Sequence, residues 1–221
     1  MIEPSVRPPK QKRSHESLER VLEASTTLLA EKGFDAFTIQ DVSQRADVSV
    51  GAIYARFGSK ESLLRAVHGH AMESIQAEHG SVATADGRRA KGARGAIVAA
   101  VGTVAGIFRG NEQLLRAFMH LGAVDDEIAK RGSEGSIDLA RQFEATVLAH
   151  RDDIKHPDPE TAVDVAFRMA YCTFARQVMY GPTFESDRPI AWDELVDEVG
   201  AACAAYLLEE RAPARRKRRA A

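Results

Sequence analysis

Apolar residues recur at helical spacing along most of the 221-residue chain, and glycine, proline and polar clusters separate the runs. The first run predicts an amphipathic helix over residues 15–32, because its members lie at positions i, i+3, i+4, i+7, i+10 and i+11. They are Leu18, Val21, Leu22, Ser25, Leu28 and Leu29. We expect Ser14 or Ser17 to cap the start of this helix and Gly33 to end it.

Three more helices are predicted directly after it, each with a good capping residue before it. Thr38 precedes a helix over residues 39–46. Ser49 precedes the third helix, which Gly58 ends, and Ser59 precedes a longer fourth helix. The residues expected on the buried faces are Ile39, Val42 and Ala46, then Ile53 and Phe57, then Leu63, Leu64, Val67, Ala71 and Ile75.

The rest of the chain also carries only helical patterns, which predicts an all-α fold. Residues 80–95 are small, polar and rich in glycine, so we expect a loop there and a possible hinge between two domains. The helices predicted beyond this loop cover roughly residues 95–109, 112–122, 125–152, 160–180 and 191–210. The long central helix contains Gly132 and Gly135, where a bend or break is expected.

The tight break at Asp47-Val48-Ser49 between two short helices is typical of a helix-turn-helix, whose second helix enters the DNA major groove. With Ile53 and Phe57 facing inward, a rotation of about 100° per residue places Gly51 and Ala55 on the opposite side. A helix that must enter a groove about 12 Å wide cannot carry bulk at every exposed position. The small residues therefore fit a surface that approaches DNA closely.

Several neighbouring side chains suit DNA contacts. Val50 and Ala52 offer methyl groups to thymine, while Ser49 and Tyr54 offer hydroxyls to phosphates or base edges. Lys60 adds a charge to the free N–H groups that begin the fourth helix, a favourable anion site. The candidate DNA-binding residues are Thr38, Ser49, Val50, Gly51, Ala52, Tyr54, Arg56 and Lys60. The competing interpretations are a packing role for Gly51, a core position for Tyr54 and a solvated surface position for Lys60.

Four parts of the chain are expected from these patterns and from the charges. Residues 1–13 form a basic disordered arm, 14–58 the helix-turn-helix domain, 59–210 a helical regulatory and dimerisation domain, and 211–221 a basic disordered tail. Residues 1–14 hold four basic residues against one acid, and the tail holds six and no acid. Because the net charge is −2, the body of the chain is acidic. The arm either contacts DNA phosphates or the minor groove, or is simply solvated.

Other functional classes receive little support. We find no run of eighteen apolar residues and no apolar signal-peptide core, and two cysteines are too few for a disulfide framework. A cytoplasmic protein without a membrane span is therefore expected. No HExxH, P-loop, GxSxG or dinucleotide-binding motif occurs. We accordingly expect neither enzymatic activity, nor a cofactor, nor a metal site.

Residues 14–64 resemble the DNA-binding domain of the TetR family of transcriptional regulators. The family pattern G-F/Y-x-x-x-T occurs from Gly33 to Thr38, and V-S-x-G-x-x-Y-x-x-F-x-x-K-x-x-L occurs from Val48 to Leu63. The chain departs from the family at Asp47, where glycine is usual. Aspartate tolerates a left-handed backbone better than most residues, so we expect an intact motif, a small cost in stability and somewhat weaker DNA binding.

The resemblance implies a homodimer on a palindromic operator, with repression as the default outcome. The helices over 160–180 and 191–210 would pair with their copies in a four-helix interface. The small residues expected to permit close packing there are Ala201, Ala202, Ala204 and Ala205.

The resemblance also implies an unknown small-molecule effector, whose binding would shift the fourth helix. Candidates for lining its site are Phe108, Phe118, Met119, His120, Phe143, Phe167, Met169, Tyr171 and Phe174. Most of these residues also suit an ordinary core. Two alternatives remain open: a thiol-based redox sensor that uses Cys172 and Cys203, and a helical protein-interaction module.

Overall fold

The structure is a computed structural model that describes the backbone of residues 10–89 and 91–210 and the side chains of residues 12–78 and 91–210. Within these ranges it is all-helical, as expected, with nine α-helices, one short 3-10 helix and no strand. The helices are α1 (Lys10–Lys32), α2 (Ile39–Ala46), α3 (Val50–Phe57), α4 (Lys60–Arg89), α5 (Gly92–Gly110), α6 (Glu112–Gly122), α7 (Asp126–Leu148), α8 (Pro159–Tyr180) and α9 (Trp192–Leu208).

The first helix begins earlier than predicted. Because α1 starts at Lys10, Ser14 and Ser17 lie inside it and cap nothing. Lysine, glutamine and arginine are good helix formers, so the segment expected as part of a disordered arm extends the helix. Gly33 follows its end with a positive φ of 73°, as expected of a terminating glycine. Residues 1–9 of the predicted arm and the whole predicted tail lie outside the described residues.

The loop predicted over residues 80–95 is wrong, since α4 continues to Arg89 and α5 begins at Gly92. Alanine and arginine, which are frequent in this stretch, favour helix, and each glycine costs only about 1 kcal/mol. The predicted break in the long central helix is also wrong. α7 passes through Gly132 and Gly135 without interruption and ends at Leu148, and a 3-10 turn over Arg151–Asp153 follows.

The chain divides into two compact units. The first comprises residues 10–75 and 111–132, so α6 and the first turns of α7 join the helix-turn-helix and the first half of α4. In this unit α1 packs on both α2 and α6, and Arg20 Nε donates to the carbonyl of Ala46 at 3.0 Å. The fully buried side chains include Val21, Leu28, Leu29, Phe37, Val42, Ile53, Leu63 and Val67. The predicted apolar faces of α1, α2 and α4 form this core.

The second unit comprises residues 76–110 and 133–210, and α5 is its central helix. α5 packs on both α8 and α9, which also pack on each other. With 19 residues and a mean hydropathy of 1.2, α5 is long and apolar enough to cross a membrane by length and composition alone. Eight of its side chains are buried in the unit, as in the core helix of a bundle.

A buried histidine in the first unit lacks a hydrogen-bond partner on one ring nitrogen. His68 of α4 is 2% exposed and packs edge-to-face on Phe118 of α6, with 4.7 Å between the ring centroids. Its Nδ1 atom has no hydrogen-bond partner. Loss of hydration on burial, and to a lesser degree the charge of Arg131, lower the pKa of His68 below its usual value of 6.5. The fold therefore favours the neutral imidazole.

We predict that His68 makes the protein less stable in mild acid. The unfolded chain binds a proton at His68 more readily than the folded chain, so stability falls as the pH drops below 6.5. One such group contributes at most about 1.4 kcal/mol per pH unit. His68→Leu should reduce the difference between urea unfolding free energies at about pH 7.5 and pH 5.5. His70→Gln is the control on the same helix, and an equal acid loss in wild type and His68→Leu would contradict the prediction.

Candidate nucleic-acid interface

Two hydroxyl side chains begin α2 and α3, as predicted. Thr38 Oγ1 accepts the N–H of Asp41 at 3.1 Å and donates to the Asp41 carboxylate at 2.9 Å. Ser49 Oγ accepts the N–H of Ala52 at 3.2 Å. Each cap satisfies one of the N–H groups that a helix start leaves without a partner, and this is what allows helices of only eight residues to form. Both capping residues are exposed.

The turn between α2 and α3 depends on a left-handed aspartate. Asp47 has φ 52° and ψ 50°, and it is the only non-glycine residue with positive φ in the described part of the chain. Its N–H donates to the carbonyl of Ser43, as does the N–H of Val48 at 3.2 Å. The prediction that aspartate adopts the left-handed conformation here is confirmed. The half-buried Val48 then leads directly into the cap of α3.

α3 has one buried face and one open face. Ile53 is 2% exposed and Phe57 is half-buried, whereas Gly51, Ala52 and Ala55 are exposed. A Cβ atom built on Gly51 would meet no other atom within 4 Å. Packing inside the chain therefore does not require glycine at this position. Of the exposed residues of this helix, Gly51, Ala52 and Ala55 carry nothing larger than a methyl group.

Tyr54 and Val50 border this open face. Tyr54 is 45% exposed, which argues against a core position for its ring. Val50 is half-buried at the start of the helix. The Tyr54 hydroxyl and the branched apolar side chain of Val50 thus flank the small residues Gly51, Ala52 and Ala55, and this face has few side-chain torsions to fix on binding.

The two basic residues of the candidate site are engaged within the protein. Arg56 Nη2 donates to Ser14 Oγ of α1 at 2.5 Å. Lys60 Nζ donates to the carbonyl of Phe37 at 2.8 Å and lies 5.3 Å and 5.5 Å from the ring centroids of Phe34 and Phe37. Lys60 is therefore neither a solvated lysine nor an uncommitted anion ligand. It fastens the start of α4 to the connection between α1 and α2, a role the sequence analysis missed.

Further ion pairs join α1 to α2. Lys32 Nζ lies 3.0 Å from Asp41 Oδ2, and Arg45 Nη2 lies 2.7 Å from Glu31 Oε2. Hydrogen bonds from Lys32 and then Thr38 lower the pKa of Asp41, and a hydrogen bond from Arg45 lowers the pKa of Glu31. These acids are thus ionised at neutral pH and partly neutralise the nearby basic groups.

The candidate effector-lining residues are divided between the two units. Phe118, Met119 and His120 belong to the first unit, where Phe118 is buried against His68 and His120 is exposed. Met169 is 39% exposed on the outer side of α8. The remaining candidates lie in the second unit and are Phe108, Phe143, Phe167, Tyr171 and Phe174. Residue type alone did not distinguish these environments.

Four aromatic rings of the second unit follow one another in contact. The ring centroids of Phe108 and Tyr171 are 5.2 Å apart, those of Tyr171 and Phe167 are 5.6 Å apart, and those of Phe167 and Phe143 are 5.7 Å apart. Phe174 packs separately on Trp192. The hydroxyl groups of Tyr171 and Ser136 are 2.7 Å apart. We call Phe108, Phe143, Phe167 and Tyr171 the aromatic row.

A small crevice between α5 and α7 reaches the end of the aromatic row. Its lining residues are Ala100, Thr103, Val104, Leu139, Gln142, Phe143 and Thr146. Its volume is about 10 Å³, close to the smallest space that can hold one water molecule. An effector larger than water would have to separate the lining side chains, Phe143 among them.

Comparison with known proteins agrees with this geometry. Residues 21–67 match the family of bacterial regulatory proteins called the tetR family. Over 50 residues the chain is 46% identical to the HTH-type transcriptional regulator YerO of Bacillus subtilis. Over 72 residues, 33% of this chain, it is 36% identical to the HTH-type transcriptional repressor KstR of Mycolicibacterium smegmatis. The aligned segments span only 17% of YerO and 35% of KstR.

Solved structures extend the likeness in fold beyond this segment. A protein from Mesorhizobium loti described as a TetR-family regulator superposes with a TM-score of 0.68 at 20% identity, covering 88% of this chain and 96% of that one. A TetR regulator from Haloarcula marismortui gives 0.65 at 15% identity, with 87% and 97% covered. Fold and site define a helix-turn-helix protein with a second helical unit. Residues 21–67 are thus similar to the tetR family of bacterial regulatory proteins, and the solved structures share the fold over most of the chain.

We predict that Asp47→Gly raises the free energy of unfolding by about 1 kcal/mol, because glycine adopts the left-handed backbone without a Cβ penalty. Asp47→Asn keeps a residue that tolerates this conformation and should leave stability nearly unchanged. Urea denaturation of the three proteins measures the difference. Asp47→Gly no more stable than wild type would mean that the aspartate carries no strain at φ 52°.

Proposed function

We propose that this protein is a transcriptional repressor that binds a palindromic DNA operator as a homodimer and releases it on binding a small molecule. The observation that carries the proposal is the open face of α3, where Gly51 has no intramolecular reason to be glycine. A helix that must approach base edges supplies such a reason, since a longer side chain at this position would hold it away from the groove floor.

Different residues on and near the open face are suited to contact bases and phosphates. Val50 and Ala52 provide apolar contacts for thymine methyl groups, and Tyr54 brings a hydroxyl to a neighbouring phosphate. Thr38 and Ser49 begin two helices whose first N–H groups attract phosphate oxygens. Lys60 supports these contacts by holding α4 on the carbonyl of Phe37. Arg56 reaches a phosphate only by exchanging its bond to Ser14.

The outer faces of α8 and α9 support a dimer. Met169 and Cys172 are exposed on α8, and Ala201 and Ala202 are exposed on α9, so small and apolar side chains are available to a second copy. Ala204, by contrast, is fully buried within the chain and packs inside the second unit. A helix-turn-helix dimer binds two half-sites about one duplex turn, roughly 34 Å, apart, and we expect an operator of that kind here.

The crevice and the aromatic row are the proposed effector site. None of the crevice-lining side chains carries a charge, and Thr103, Gln142 and Thr146 provide its polar groups. An uncharged, largely apolar molecule suits such a lining. Because the crevice is small, binding would be coupled to separation of α5 and α7, and a ligand that favours the separated state shifts the equilibrium toward it.

Selection of bound sequences from random DNA duplexes tests the proposal, with a paired, inverted half-site as the expected result. We predict that Gly51→Leu abolishes this binding without loss of stability, because the new side chain enters open space in the protein but occupies the space needed by DNA. Gly106→Leu is the matched control, since Gly106 is also an exposed helical glycine with no atom within 4 Å of a built Cβ. Normal operator binding by Gly51→Leu would exclude this face as the reading surface.

The redox-sensor alternative is weakened by the position of Cys203. Its thiol is buried and donates to the carbonyl of Ala166 at 3.6 Å, and burial raises the pKa of Cys203 to about 11. The thiolate, which is the reactive form, is therefore scarce at neutral pH. Cys172, in contrast, is exposed on α8.

We predict that the Cys172→Ser protein shows no thiol that reacts with an aromatic disulfide reagent until denaturant is added. Only Cys203 remains in this variant, and its thiol is buried and protonated. One equivalent should then react on unfolding. Rapid reaction of Cys203 in the native protein, accompanied by loss of DNA binding, would restore the sensor interpretation.

A further inference from the structure

Four charged residues join α4 to the beginning of α7 inside the first unit. Arg65 Nε donates to Asp125 Oδ2 at 2.8 Å and to Oδ1 at 3.2 Å. Arg131 Nη1 donates to the backbone carbonyl of Arg65 at 3.1 Å. Glu127 lies between the two arginines, 2.6 Å from Arg131 Nη2 and 3.6 Å from Arg65 Nη1. We call Arg65, Asp125, Glu127 and Arg131 the α4–α7 clamp.

Asp125 serves two helices at once. Its Oδ1 accepts the N–H groups of Glu127 and Ile128, both at 3.1 Å, so the carboxylate caps α7 while it binds Arg65 of α4. The side chain is only 12% exposed. The N–H of Ile128, followed by the hydrogen bond from Arg65, lowers the pKa of Asp125. A carboxylate held in place by its own helix start is oriented for the arginine in advance, unlike the partners in most surface ion pairs.

The clamp fixes the same part of α4 that Lys60 holds to the helix-turn-helix. Arg65 follows Lys60 by five residues, and Leu63, Leu64 and Val67 between and beyond them are buried. At its start α4 is therefore bound to the carbonyl of Phe37, and little more than one turn later it is bound to α7. Movement of α7 relative to this segment would have to break charged hydrogen bonds.

The path of the chain gives the clamp a particular role. The chain passes between the two units three times: within α4, between α5 and α6, and within α7. The clamp ties two of these three connections, α4 and α7, to each other on the side of the first unit. It therefore holds these two connections together at their ends in the unit that carries α3.

We propose that the α4–α7 clamp determines which spacing between operator half-sites the dimer accepts. The clamp lies on α4 and α7 and supplies no group to the open face of α3, so it acts on specificity by positioning. Loosening it leaves the bases read within each half-site unchanged but lets the two α3 helices adopt a wider range of separations. The inference rests on the proposed function, because spacing has meaning only for a dimer on paired half-sites.

The test uses duplexes that contain the selected half-sites separated by every spacer length within two base pairs of the optimum. Asp125→Asn keeps an oxygen that can cap α7 but loses the charge that binds Arg65. Its preference for the optimal spacer over neighbouring spacers should fall by about threefold. The half-site sequence that it selects should be that of the wild type. Asp138→Asn is the matched control, since Asp138 pairs with Arg141 at 2.9 Å within α7 in the second unit.

A second pair of variants distinguishes loss of the Arg65–Asp125 ion pair from loss of the α7 cap. Arg65→Gln leaves Asp125 intact and should broaden the spacing profile in the same way, whereas Arg65→Lys retains the charge and should restore part of the preference. A purely structural role would lower affinity equally at all spacings. That result, or a profile like that of Asp138→Asn, would overturn the inference. Wild-type protein that selects no paired half-sites would instead overturn the proposed function, and with it this inference.

Discussion

The packing of α3 on α2 is the constraint on which the rest of the candidate site depends. α3 has eight residues, fewer than an isolated helix needs to persist in water, and Ile53 is its only fully buried side chain. The helix is stable because Ser49 caps its start, Gly58 terminates it and Asp47 turns the chain so that α3 packs on α2. The capping and packing contacts of α3 thus involve its ends and its inner face. The small residues on its outer face take no part in them.

This division explains why small residues are tolerated where DNA would be read. Gly51 and Ala55 are exposed and contribute nothing to the core, and in the proposed function their small size lets α3 approach DNA closely. The charges around the site have a different role. Lys32, Arg45 and Lys60 bind groups of the protein itself, which stiffens the frame that presents α3. In the proposed function these three basic residues therefore support the open face of α3 rather than contact DNA themselves.

The sequence predicted the features that local signals encode. The bounds of α2 and α6 and the capping roles of Thr38 and Ser49 are as predicted, because caps and apolar spacing act within a few residues. Contacts between distant segments were missed. Lys60 meets Phe37, and Arg65 meets Asp125 sixty positions away, and no periodic pattern indicates which arginine will meet which aspartate. The loop expected before α5 was wrong for the opposite reason, since local glycines were given more weight than the alanines and arginines between them.

The sequence was also insufficient to predict which of the candidate aromatic residues border the proposed effector site. The sequence alone does not distinguish a phenylalanine that fills a core, such as Phe174, from one that borders a crevice, such as Phe143. The position of Phe143 on α7 links the crevice to the α4–α7 clamp. α7 begins in the clamp on Arg65 and continues without a break to the residues that line the crevice. In the proposed function, a ligand that displaces Phe143 acts on the helix whose first turn positions α4. The proposed effector site would then be connected to α3 through α7, the α4–α7 clamp and α4. The coupling free energy is limited by the difference in the ligand's affinity for the arrangements with and without displacement of Phe143.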